Sequence, residues 1–198
     1  PDEETATDAT SIRAYPMVIF VIASLAVAHA VMVAVMAMTP VHLHGHGASL
    51  RLIGITISAH VAGMYACSPL FGLLADRVGR RWTLALGFVV QLASLGLLIA
   101  YGQRDAAVVA ALVLLGLGWS AALVSCSTLL IDAAPATRRT HIQGRSDFTM
   151  NIVGAAGGAV AGPIVHNWGM PTLASLTGFL IIVAVVVLLP RVRDISTR

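Results

Sequence analysis

Six stretches of this chain, 16–38, 52–74, 83–101, 107–131, 148–166 and 172–189, are long, apolar and free of any Asp, Glu, Lys or Arg. A helix rises about 1.5 Å per residue, so roughly 20 apolar residues cross the ~30 Å hydrocarbon core of a bilayer, the length class of all six runs. Barrel strands alternate polar and apolar residues over roughly ten positions, a pattern these runs lack. The expectation is an all-α membrane protein: six transmembrane helices over 16–190, a cytoplasmic linker or tail at 1–15 and a short cytoplasmic tail at 191–198. With 11% charged and 58% apolar residues, the chain is no water-soluble globule.

Orientation follows from the Arg residues, which supply every basic side chain in the sequence. An even number of spans puts both termini on one side. Arg13, Arg77, Arg80, Arg81, Arg138, Arg139, Arg145, Arg191, Arg193 and Arg198 share that side, against Arg51 and Arg104 on the other. Positive charge stays inside, so both termini are expected in the cytoplasm and the His-rich loop after the first run outside. Pro16 and Pro40 bound the first run, 167–171 turns the fifth run into the sixth, and Pro190 closes the sixth. Trp82, Tyr101 and Trp168 fall at interfaces, where amphipathic rings anchor. A net charge of +3, scattered in small clusters, is no nucleic-acid footprint. Cys67 and Cys126 sit inside apolar runs without metal-type spacing, which excludes a disulfide framework.

Between the second and third runs the sequence reads Gly72-Leu73-Leu74-Ala75-Asp76-Arg77-Val78-Gly79-Arg80-Arg81. Gly72 would admit a close neighbouring helix, Gly79 a tight turn with positive φ, and Asp76 could lie at the positive end of a neighbouring helix, while Arg77, Arg80 and Arg81 hold the loop inside. This spacing resembles the loop that major facilitator superfamily transporters carry between their second and third helices and, in weaker form, between the eighth and ninth. The rest is similar to the C-terminal six-helix half of bacterial drug-efflux-like members. Leu115-Gly116-Leu117-Gly118-Trp119, Ser127-Thr128-Leu129-Leu130-Ile131-Asp132, Arg138, Gln143-Gly144 and Asp147-Phe148 match the tenth helix, its loop and the eleventh. Met38-Thr39-Pro40 and Ser68-Pro69-Leu70-Phe71-Gly72 fit the same group.

The resemblance covers 16–190 and implies one half of a fold whose two pseudo-symmetric halves enclose the substrate path. It implies secondary active transport of a small hydrophobic or amphipathic molecule by alternating access, as ion-coupled efflux of the antiporter kind. The expected setting is the inner (plasma) membrane, with the lipid bilayer, a missing N-terminal six-helix half and a coupling proton as partners. The fourth-helix Arg motif of proton-coupled antiporters would belong to that other half.

His29 and His60 are the histidines well inside the spans, and ionisable groups at membrane depth face a cavity or bond a neighbouring helix. Both fall slightly outside the midplane, His29 with Met32 and Met36 on its face and His60 with Met64, linings suited to greasy cargo. The family geometry adds Trp119 and Asn151 to the substrate or proton path and moves Gln91 outside it. Gly154, Gly158 and Gly162 give the fifth run a bare packing face, expected against the small stripe of Ala59, Gly63 and Cys67 on the second. Asp76, Asp132 and Asp147 at the cytoplasmic helix ends are expected in loop or cap pairing with Arg138 or Arg139. His42, His44 and His46 alternate and could bind Zn²⁺ or Cu²⁺ from one side of an extended loop, although no carboxylate or Cys completes the set. A membrane sensor or assembly module using that loop is the alternative function. No nucleophile–base pair, phosphate cradle or paired intramembrane carboxylates occur, so neither an enzyme nor a cofactor is expected.

Overall fold

The computed structural model describes residues 16–192, and the expectations for 1–15 and for Arg13, Arg193 and Arg198 fall outside them. Six α-helices follow in order: α1 (Pro16–Gly45), α2 (Leu50–Tyr65), α3 (Ser68–Val78), α4 (Arg80–Tyr101), α5 (Asp105–Ala133) and α6 (Arg139–Val183). A 3₁₀ turn at Ala136–Arg138 joins α5 to α6, and a π-turn (Ala184–Leu188) and a 3₁₀ turn (Leu189–Arg191) follow near the end of the described residues.

The helices do not map one-to-one onto the six apolar runs. Five stretches are long and apolar enough to cross a bilayer: Met17–Gly45, Leu50–Val78, Arg80–Tyr101, Asp105–Ala133 and Ala136–Arg191. The second run is distorted at Cys67, with φ −93° and ψ −1°, just before Pro69 in the first turn of α3. The fifth and sixth runs share α6, whose 45 residues would reach about 68 Å if straight. Gly169 prevents this, with φ 80° and ψ 170°, a conformation only glycine adopts readily, two residues before Pro171. Val153 and Leu180 would lie about 40 Å apart on a straight rod, yet both line one cavity of about 340 Å³ with Ala30 and Ala34 of α1. The 139–168 and 170–183 limbs therefore fold back on each other across α1. Pro40 does not close the first run either, since α1 continues through it for one more turn.

α5 packs on α1, α2, α3 and α4 and lies at the centre of the bundle. Lipid tails are as apolar as Leu, so helices in a membrane associate through close packing and hydrogen bonds. The seams accordingly run through small residues. An ideal Cβ on Gly118 of α5 would stand 2.7 Å from the Gly87 carbonyl of α4, and one on Gly63 of α2 3.0 Å from the Val113 carbonyl. Gly154, Gly157 and Gly158 of α6 face His29, Ala30 and Val33 of α1, while Gly162 has nothing within 4 Å. The bare face of the fifth run is thus covered by α1, and the stripe on the second run by α5, correcting the contact expected between them. The ends also pair: the Arg191 guanidinium lies 5.5 Å from the Phe20 ring centroid, which brings the start of α1 and the end of the described chain to one side.

Because any Cβ at Gly118 meets backbone, Gly118→Ala should lower the melting temperature of the purified full-length protein by several degrees, the effect of about 1–3 kcal/mol of overpacking. Gly96 on α4 faces open space. Gly96→Ala should leave the melting curve unchanged or raise it.

Candidate functional site

Near the middle of the bundle the Trp119 indole N–H of α5 donates to His29 Nδ1 of α1 at 3.0 Å. Indole can only donate, so His29 Nδ1 must carry a lone pair and the neutral ring its proton on Nε2. That edge of the imidazole rests on α6, where an ideal Cβ on Gly154 would approach His29 Cδ2 to 2.5 Å. Tyr65, the last residue of α2, meets Trp119 edge-on with centroids 6.1 Å apart and planes at 78°. Trp119 is 3% exposed and Tyr65 59%. Helices α1, α2, α5 and α6 thus meet at one aromatic cluster. Tyr65 had no place among the sequence candidates, though a Tyr in mid-span just before a Ser-Pro break was the signal available.

The other candidates part company. His60 is fully buried, and its Nδ1–H donates to the Leu112 carbonyl at 2.7 Å across the α2–α5 seam. Its Nε2 is a buried acceptor with no hydrogen-bond partner among the described residues. Gly116 makes that seam possible, because a Cβ there would sit 2.5 Å from the His60 carbonyl. Met32 and Met64 are buried core residues, and Met36 packs against that core half-buried. Gln91, set outside the path by the sequence reading, is fully buried and donates to the Ala28 carbonyl at 3.0 Å, the residue before His29. Asn151 instead stays exposed and bonds the Asp147 carbonyl of its own helix at 2.8 Å.

In the motif loop, Gly79 takes φ 104° and lets α4 start directly after α3. Arg80, its first residue, forms an ion pair with Asp132 in the last turn of α5. Each charge sits at the helix end whose dipole opposes it, so pairing offsets two unfavourable placements. Arg80 was not the partner expected for Asp132, and Arg139 Nε–H donates to the Ala134 carbonyl at 3.4 Å. Asp76 and Arg77 are exposed on the last turn of α3, Gly72 has nothing within 4 Å, and the half-buried Arg81 lies 5.7 Å from the Trp82 ring centroid. Asp147 accepts from the Gln143 amide at 3.4 Å. These last two line a cavity of about 680 Å³ between α5 and the start of α6, together with Ser127 and Arg139.

At the opposite end the histidines form a clasp. His42 Nε2–H donates to the Gly102 carbonyl at 2.8 Å, His46 Nδ1–H to the His42 carbonyl at 2.7 Å, and His46 Nε2 lies 2.8 Å from the Gln103 amide oxygen. Since α1 runs on past Pro40, helical spacing puts His42 and His46 on one face, with ring centroids 4.4 Å apart, and His44 on another. Among the described residues no three His, Cys, Asp or Glu side chains are disposed to hold a metal ion, and the helix separates the three histidines that an extended loop would have aligned.

A model of the Major Facilitator Superfamily matches residues 19–197. The chain is 40% identical over 153 residues to the uncharacterized MFS-type transporter YddS of Bacillus subtilis, covering 76% of this chain and 35% of that protein. It is 30% identical over 179 residues to the riboflavin transporter RfnT of Brucella anthropi, covering 90% of this chain and 44% of the relative. With the 4-hydroxybenzoate transporter PcaK of Pseudomonas aeruginosa it shares 33% identity over 143 residues, 72% of this chain and 32% of the relative. The chain thus spans about a third to under a half of the length of these relatives.

The partly buried Arg80–Asp132 pair should be worth about 1–3 kcal/mol, between the values for exposed and buried pairs. Asp132→Asn and Arg80→Asp should each lower the melting temperature of the full-length protein. The reciprocal swap Arg80→Asp/Asp132→Arg, which also matches both helix dipoles, should recover or exceed the wild-type value.

Proposed function

The chain belongs to the major facilitator superfamily, and from that premise we propose that it is the C-terminal half of a secondary active transporter working by alternating access. On this reading the two limbs of α6 cross separately, giving six spans with both termini cytoplasmic in the inner membrane. The Arg distribution, the reversal at Gly169 and the Phe20–Arg191 contact support that topology. The observation that carries the functional reading is the Trp119–His29 hydrogen bond, on which α1, α2, α5 and α6 converge.

Large apolar side chains stand exposed on two flanks of that centre: Ile55 and Val61 on α2, and Phe148, Ile152 and Val160 on α6. These flanks take the missing N-terminal half, and the path runs between them. Small-molecule cargo is in keeping with relatives named as riboflavin and 4-hydroxybenzoate transporters, whose cargoes carry planar aromatic rings. A hydrophobic or amphipathic molecule suits the apolar lining of Val153, Val160 and Leu176 beside α1. The chain catalyses no covalent step.

Coupling follows from the chemistry of His29. A proton on Nδ1 removes the lone pair that Trp119 needs, so proton uptake and the α1–α5 hydrogen bond exclude one another. Charging His29 therefore releases Trp119, and the two states differ in how α1 sits on α5. Efflux driven by proton exchange is the direction proposed, with His60 as the second titratable group in the membrane.

The test is the pH profile of transport by the full-length protein in everted vesicles. His29→Gln/His60→Gln should flatten the profile, while replacing His42, His44 and His46 together by Gln should preserve it. An unchanged profile in the membrane double variant would refute the coupling.

A further inference from the structure

Tyr65 is an aromatic ring in an unusual place. It stands near the middle of Leu50–Val78, far from both interfaces where Tyr normally anchors, and is nevertheless 59% exposed. Trp82, Tyr101 and Trp168, also exposed, all lie at helix ends, where a belt position explains them. No belt explains Tyr65.

One contact orients it. The ring meets Trp119 edge to face, and Trp119 is itself immobilised by burial and by its bond to His29. α5 is covered by α1, α2 and α4, so a side chain of α2 that reaches Trp119 lies on the inner flank of α2, above the helix seam. The helix is distorted immediately afterwards: Cys67 takes φ −93° and ψ −1°, Pro69 follows at the start of α3, and the Ser68 hydroxyl donates back to the Tyr65 carbonyl at 2.8 Å. Transporter substrate sites favour such interruptions of a spanning helix. A largely exposed aromatic ring in contact with a buried one, beside a helix distortion at mid-depth, has the chemistry of a stacking surface.

Resting on the transport reading above, we propose that Tyr65 is a specificity residue: its open face stacks on a planar aromatic ring of the cargo, so that the transporter selects flat aromatic molecules over saturated ones of the same size and charge. Trp119 and His29 act as positioning residues that hold the tyrosine ring on edge. A stacked pair corresponds to about a 2- to 12-fold preference in affinity.

Binding is measured as ligand-dependent thermal stabilisation of the full-length protein, using matched planar and saturated probes: benzoate with cyclohexanecarboxylate, 2-naphthol with decahydro-2-naphthol, and aniline with cyclohexylamine. Wild type should bind the planar member of at least one pair several-fold more tightly. Tyr65→Leu should erase that gap and Tyr65→Phe should keep it, both with ligand-free melting temperatures near wild type. A gap that survives Tyr65→Leu, or tighter binding of the saturated members, overturns the stacking role and leaves transport standing. So does a Tyr65→Leu protein that melts several degrees lower with its gap intact, which would make Tyr65 a contact to the other half. Binding of none of the six probes by wild type would overturn the aromatic site, and loss of proton-driven transport of any cargo by the same preparation would overturn the transport reading itself.

Discussion

The Trp119–His29 hydrogen bond is the contact around which the rest of the bundle is arranged. In lipid no water can take over an abandoned donor, so an indole N–H at mid-depth has to find an acceptor inside the protein. It finds one on α1, and that choice fixes the register of α1 on α5. The imidazole then needs room on its far side, which Gly154 supplies, drawing the first limb of α6 against α1. Gln91 reaches the Ala28 carbonyl one residue before His29 and ties α4 to the same turn. Three helices are thus registered on α1 within one helical turn of His29.

Elsewhere the packing relies on backbone proximity and on clasps at the two ends. α4 and α5 touch through Gly87 and Gly118, and Ser94 donates to the Ala111 carbonyl at 2.6 Å along the same seam. Arg80 and Asp132 close that pair at one end, while the turn after α4 is bonded to His42 and His46 of α1 at the other. An element clamped at both ends moves as a body. On the alternating-access reading proposed above, motion is directed to the distorted places, the Cys67–Pro69 junction between α2 and α3 and the reversal at Gly169.

Much of this was legible in the sequence, and the remainder failed for identifiable reasons. Charge-free apolar runs determined the fold class because a bilayer forbids most alternatives, and the motif loop carried the family. Trp119 and His29 both stood among the sequence candidates, but their mutual bond was invisible, since it depends on the register of two helices 90 residues apart. The Gln91 bond to α1 was not legible because helix order says which side of a bundle a helix occupies and not how far a long amide reaches inward. The histidine loop was misjudged because Pro40 was read as a stop: in an extended chain His42, His44 and His46 share a side, whereas in a helix only the first and last do. The glycine face of the fifth run announced close packing without naming a partner, and a bare stripe fits α1 as well as α2.

The central claim is that Trp119 and His29 act as one hydrogen-bonded unit holding α1 on α5. The most direct measurement is a double-mutant cycle on the full-length protein, comparing the unfolding free energies of Trp119→Phe, His29→Leu and the combined variant. A coupling energy of about 0.5–1.5 kcal/mol, the usual net worth of a buried hydrogen bond, is the predicted result. Two effects that simply add, within about 0.3 kcal/mol, would contradict the account.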